Sequence, residues 1–142
     1  MKTIANKKSL TVALMMLVLG WATMSFNSST QDDKKKPWKV PETAKSKKNP
    51  QSGAESVSAG KVLYSKHCKS CHGAKGLGDG PKSKELDTPS GDFSAKDFQS
   101  QTDGELFYKT KEGRDDMPSF KKKITDDEDI WNLVNYMRTL AK

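Results

Sequence analysis

Cysteine and histidine are scarce in this chain of 142 residues, which holds two of each: Cys68, Cys71, His67 and His72. Two cysteines this close together cannot cross-link distant parts of a fold, so a disulfide framework is excluded. A structural zinc site needs four ligands, and no second Cys/His cluster exists to complete one. Apolar runs that alternate over strand length are also missing, as is any strand–helix–strand pattern. That removes the thioredoxin-like reading of a Cys-x-x-Cys pair. Apolar residues make up only 33% of the chain against 30% charged, so part of it is not packed into a core. No internal repeat is found.

Basic charge is lacking where a nucleic-acid interface would need it. The formal charge of +7 lies wholly in residues 1–53, where ten lysines face Asp32, Asp33 and Glu42. Residues 54–142 carry fifteen Lys and Arg against fifteen Asp and Glu. A nucleic-acid binder would present a basic folded face, and this balance argues against it. Any basic docking patch must come from uneven placement of charge rather than from its sum.

The N-terminus is organised for export. Lys2, Lys7 and Lys8 precede an almost wholly apolar run over residues 10–26. This pattern predicts a signal peptide or an N-terminal membrane anchor over residues 1–26. The run, about 17 residues, only reaches the lower limit for a membrane span, and no Ala-x-Ala site follows it, so cleavage is left open. Lysines before the run keep the N-terminus cytoplasmic and send the remainder outward. Residues 27–56 are rich in Lys, Pro and Ser, with Pro37, Pro41 and Pro50 interrupting any helix, and are expected to form a flexible linker. Lys34-Lys35-Lys36 is expected to be solvated or drawn to anionic lipid head groups.

From about Glu55 the pattern turns helical, and residues 57–142 are expected to form one all-α domain. The first helix runs through Gly60 and Tyr64 to His67. Gly73 to Pro81, with four glycines before the proline, reads as a loop. Thr102 or Asp103 caps a short helix that Gly113 ends. Thr125-Asp126-Asp127-Glu128 reads as a capping box for a last helix whose Ile130, Leu133, Val134, Met137 and Leu140 recur at helical spacing.

The chemistry is concentrated in Cys68-Lys69-Ser70-Cys71-His72. Two thiols one helical turn apart can each add to one vinyl group of a haem, and a histidine directly after the second can reach the iron. The other ring nitrogen of His72 then needs an acceptor, and the loop ending at Pro81 is the natural source of a carbonyl. His67, next to Cys68, is expected on the surface. After the N-terminal segment the only methionines are Met117 and Met137. Met137 fits the apolar stripe of the last helix. Met117, in Asp115-Asp116-Met117-Pro118, has a poor core context and suits a loop ligand. With His72 and Met117 both on iron, small molecules are excluded and electron transfer is favoured over catalysis.

These residues resemble the class I monohaem cytochromes c over about residues 58–141. Gly60-x-x-x-Tyr64 precedes the Cys68-x-x-Cys71-His72 haem site at the family spacing, Gly-Asp-Gly-Pro81 follows, and Met117-Pro118-Ser119-Phe120 resembles the methionine-ligand loop. The resemblance implies a bundle of three to five helices around one covalent haem c, with Pro81 supplying the carbonyl that binds His72. It also implies pairing of the first helix, at Gly60 and Tyr64, with the last, at Leu133 and Tyr136. The implied function is single-electron transfer in an exported respiratory or oxidative chain, with a reductase complex or terminal oxidase as partner. The alternative is a haem subunit of a larger membrane oxidoreductase, held by residues 9–26 and facing the periplasm. Lys69, Lys75 and Lys121-Lys122-Lys123 are the expected docking lysines. Asp115 and Asp116 depart from the family pattern by placing two negative charges beside the methionine.

Overall fold

The computed structural model describes residues 37–142. The expected export segment, residues 1–26, and the start of the expected linker lie outside the described residues. Among the described residues there are six α-helices and one 3-10 turn: α1 Glu42–Lys45, α2 Gly53–His67, α3 Lys69–His72, the turn Ser83–Glu85, α4 Lys96–Gln99, α5 Asp103–Glu112 and α6 Asp127–Arg138. No strand occurs among them, only an isolated bridge between Arg114 and Met117. The fold is all-α, as expected. Three helices are single turns, which raises the total above the expected three to five. None is long and apolar enough to cross a membrane.

The core lies where α2, α5 and α6 meet. The stripe Ile130, Leu133, Val134 and Met137 on α6 is buried, together with Tyr64 of α2 and Leu106 and Phe107 of α5. Each large apolar side chain buried this way contributes about 1.5–3 kcal/mol. Gly60 is what lets α2 and α6 approach. A Cβ there would stand 2.0 Å from the Asn132 carbonyl oxygen and 2.9 Å from Tyr136 Cβ. One turn on, the Tyr64 and Tyr136 rings meet with centroids 5.1 Å apart.

The helix termini are set by local hydrogen bonds. Thr102 and Glu105 form a complete capping box at the start of α5. At α6 the cap is Asp126, whose carboxylate accepts from the Glu128 N–H, rather than the expected Thr125. Asp127, Glu128 and Asp129 fill the first turn, where the helix dipole favours negative charge. At the other end of α6, Arg138 donates to Asp103 Oδ1 (2.7 and 2.9 Å) and to the carbonyls of Gln99 and Gln101. It thus ties the end of one helix to the start of another.

The expected linker over 27–56 needs correction from Pro37 onward. Residues 37–52 form a strap packed on the helices. Val40 and Ala44 are buried, Thr102 Oγ1 donates to the Lys45 carbonyl at 2.9 Å, and Asn49 Nδ2 donates to Asn135 Oδ1 at 2.8 Å. A polar cluster continues inward: Asn135 Nδ2 reaches Ser56 Oγ and the Gln51 carbonyl, and Ser56 Oγ meets Asn132 Oδ1 at 2.5 Å. The prolines block helix without blocking packing, because a strap needs only scattered anchors.

Candidate functional site

Cys68 ends α2 and begins α3, so the first thiol stands at the junction of two helices, while Cys71 and His72 lie on the single turn of α3. The glycine-rich loop then folds back beneath that turn. The N–H groups of Gly78, Gly80 and Lys82 donate to the carbonyls of His72, Cys71 and Ser70 at 2.9, 3.2 and 2.9 Å. These bonds satisfy carbonyls that a helix end leaves open. The Tyr64 hydroxyl donates to the Gly73 carbonyl at 2.8 Å, anchoring the loop to the core.

Met117 is held by a tight turn. Arg114 and Met117 exchange backbone hydrogen bonds at 2.8 and 2.9 Å, with Asp115 at φ 51° between them. The two acids are engaged locally: Asp115 pairs with Arg114 at 3.1 Å, and Asp116 Oδ2 accepts from the Thr88 N–H at 2.8 Å. Gly113, at φ 69°, precedes the turn. A Cβ there would lie 2.4 Å from Ser119 N and 2.5 Å from the Pro118 carbonyl carbon.

Cys68, Cys71, His72 and Met117 line one cavity of about 820 Å³. Its wall is largely apolar, with Phe93, Leu106, Phe120, Leu133 and Met137 contributing. That volume lies inside the range of ~300–1,000 Å³ common for small-molecule and cofactor sites. Burial pushes the Cys68 thiol up to about 12, with Cys71 adding to the effect. Redox-active thiols are held low instead, and both cysteines are free thiols. Among the described residues no group of three His, Cys, Asp or Glu side chains is gathered to hold a metal ion. The dithiol and zinc readings therefore find no support in the geometry.

The His72 ring packs on Phe93 with centroids 4.4 Å apart. Burial lowers its pKa to about 4, against an opposing effect of the Ser90 backbone, so the imidazole is neutral, as a metal ligand must be. His72 Nδ1 is buried and finds no hydrogen-bond partner. The expected bond to the Pro81 carbonyl is not formed: Pro81 is exposed and does not line the cavity. The loop spends its hydrogen bonds on the α3 carbonyls, and its proline is turned outward. A haem fits these residues. Two thiols stand at an apolar cavity, and a neutral imidazole keeps one buried nitrogen that the chain leaves unpartnered. Cys68 and Cys71 would hold the ring, and His72 and Met117 would face the iron.

Several cavity residues escape sequence reasoning. His67, expected on the surface, lines the cavity edge-on to Phe120 with centroids 6.0 Å apart. Phe93 and Ser90 come from a loop with no motif. Trp38 arrives from the strap, and Lys109 and Arg114 from the end of α5 and the turn after it. A lone tryptophan in a Lys- and Pro-rich stretch is the one signal that points to the strap.

Comparison with known proteins places these features. Residues 55–137 match the family described as cytochrome c oxidase, cbb3-type, subunit III. The solved Kuenenia stuttgartiensis reducing HAO-like protein complex Kustc0457/Kustc0458 is similar, with 26% identity and a TM-score of 0.61. The similarity covers 67% of this chain and 48% of that one, so this chain spans about half of its length. The KustC0563 c-type cytochrome is similar at 30% identity and a TM-score of 0.52, over 58% of this chain and 98% of that one. No curated protein matches the chain.

Proposed function

Because the chain belongs to the cytochrome c oxidase, cbb3-type, subunit III family of c-type cytochrome domains, whose work is haem-based electron transfer, we propose that it carries single electrons on one covalent haem c with His72 and Met117 as axial ligands. The observation that carries this reading is that Met117, distant in sequence, meets the Cys68–His72 motif on one apolar cavity. When bound, the haem supplies a reversible one-electron change at iron.

The protein's own residues do the rest. Cys68 and Cys71 tether the cofactor, which prevents its loss outside the cell. Tyr64 and the looped N–H groups fix α3, so His72 is presented in one orientation. The Arg114–Met117 turn holds the Met117 thioether at the cavity, and thioether ligation would raise the potential relative to two histidines. The apolar wall of the cavity would keep water from a bound haem. With His72 and Met117 both holding the iron, the site would favour electron transfer over catalysis.

Export is part of the proposal, resting on residues 1–26. A second reading has a specific support. The matched family is named for an oxidase subunit, and one similar structure is a complex with a HAO-like protein. In that reading the chain is a tethered haem subunit that docks on a larger redox enzyme. Mass spectrometry of the mature N-terminus separates the two: an intact Met1 supports the tethered subunit, a start within residues 25–31 the free carrier.

The spectrum of the purified protein tests the core claim. The wild type should show the weak far-red band of iron–thioether ligation, and Met117→Ala should lose it and gain carbon monoxide binding while keeping its haem. A wild type that lacks the band and binds carbon monoxide readily sinks the His/Met assignment.

A further inference from the structure

The strap raises a question that the family does not answer. The family match begins at residue 55, yet residues 37–49 are packed on the helices and bring Pro37 and Trp38 to the cavity wall. Trp38 is half-buried there, with two cations near its ring. The Arg114 guanidinium lies 4.6 Å from its ring centroid, and Lys109 Nζ lies 5.8 Å away. Both distances are within cation–π range. Both cations line the same cavity. Arg114 is paired with Asp115. Lys109 is partly buried, and its amine donates to the Gln101 side-chain carbonyl oxygen; among the described residues it has no carboxylate ion-pair partner.

Keeping a lysine amine partly desolvated without an ion-pair partner is costly. Burial accordingly pulls the Lys109 pKa below its ordinary value. An aromatic ring with two cations in contact range, in the wall of an apolar cavity, suits a ligand that is a flat hydrophobic ring with an anionic edge. A haem has that form, since its two carboxylates sit together on one side of the porphyrin.

We propose that the strap completes the cofactor site: Trp38, in cation–π range of Arg114 and Lys109, covers the haem edge that bears the carboxylates, and Lys109 helps to neutralise them. The segment ahead of the family domain is then a wall of the site and not a passive tether. It lowers the water exposure of the haem and adds positive charge beside it. Both effects favour the reduced form over the more positive oxidised one. The proposal rests on the haem reading above.

The test uses the full-length, haem-loaded protein and its Trp38→Ala, Trp38→Phe and Lys109→Gln variants. Potentiometric titration reads the haem midpoint, and stopped-flow mixing with ascorbate reads access to the haem edge. Trp38→Ala should lower the midpoint and speed reduction severalfold, because the edge opens to water. Trp38→Phe should restore both towards wild type, since a phenyl ring keeps the cover and the cation contacts. Lys109→Gln should lower the midpoint in a protein of unchanged denaturation profile. Wild-type midpoint and rate in Trp38→Ala overturn the proposal, as does a Trp38→Phe variant as altered as the alanine one. If Trp38→Ala does not load haem, Lys109→Gln decides, and an unshifted midpoint overturns the proposal. A wild type that carries no haem sinks the functional reading instead, so the two failures are distinct.

Discussion

Gly113 and Gly60 carry more of this protein than their size suggests, because each lies where backbone meets backbone. At Gly113 the φ of 69° and ψ of 170° belong to a region only glycine occupies freely, and the Met117–Ser119 backbone fills the space where a Cβ would stand. Gly113→Ala should therefore cost about 1–3 kcal/mol of strain, and it should show first in the turn that holds Met117. The expected result is a protein that keeps its haem but loses the iron–thioether band; an unchanged band would count against this turn as the holder of the ligand. Gly60→Ala acts at a different place. Its Cβ would meet the Asn132 carbonyl at 2.0 Å, and a backbone oxygen inside a packed crossing cannot swing aside. Overpacking of this kind costs about 1–3 kcal/mol. The denaturant midpoint should fall accordingly, and an unaltered midpoint would show that the α2–α6 crossing can slide.

At the scale of elements, the features legible in the sequence were those with a short repeat or a fixed local chemistry. Helix α6 declares itself because Ile130, Leu133, Val134 and Met137 recur at helical spacing and all become buried. The Cys68-x-x-Cys71-His72 turn declares itself because attachment to one ring demands that spacing. The cap of α6 was misplaced by one residue because Thr125 and Asp126 are both good caps, and only the folded geometry selects between them. The strap shows in the sequence only through the lone Trp38. Its anchors, Trp38, Val40, Ala44 and Asn49, have no period, and its Lys- and Pro-rich remainder looks solvated. Pro81 marks the loop in the sequence, but spacing alone does not give the exposure the fold leaves it. The strap's hold on α6 is testable at Asn49. Its amide donates to Asn135 Oδ1 at 2.8 Å, and its own oxygen accepts from the Gln51 N–H at 2.9 Å. Asn49→Ala should cost about 1 kcal/mol and should hasten tryptic cleavage at Lys45, Lys47 and Lys48. Cleavage at the wild-type rate would mean that Val40 and Ala44 hold the strap without the amide.

For the whole molecule, the decisive quantity is where charge sits and not how much there is. The chain carries +7, yet residues 54–142 balance to zero and the surplus belongs to residues 1–53. The packed strap adds Lys39, Lys45, Lys47 and Lys48 against Glu42, so residues 37–142 carry +3, a weak net field to which a local patch can add. Lys66, Lys82, Lys109, Arg114 and Lys123 line the cavity that holds Cys68 and Cys71, against Asp92, Asp97 and Asp116, so its lining carries a modest positive excess. At about 0.1 M salt the screening length is near 10 Å, and a patch of this size acts only over the last steps of docking. The rate of electron transfer to an acidic redox partner should therefore fall with ionic strength, modestly in the full-length chain and less in Lys123→Gln. Charges at the rim of an interface tune association rate more than affinity, so stopped-flow rates at rising salt are the measurement to make. A flat response in the wild type would remove electrostatics from docking and leave the apolar surface around the cavity mouth, including Pro118, as the contact. A salt response unchanged in Lys123→Gln would move the docking patch away from the cavity mouth and towards the basic residues of the N-terminal segment.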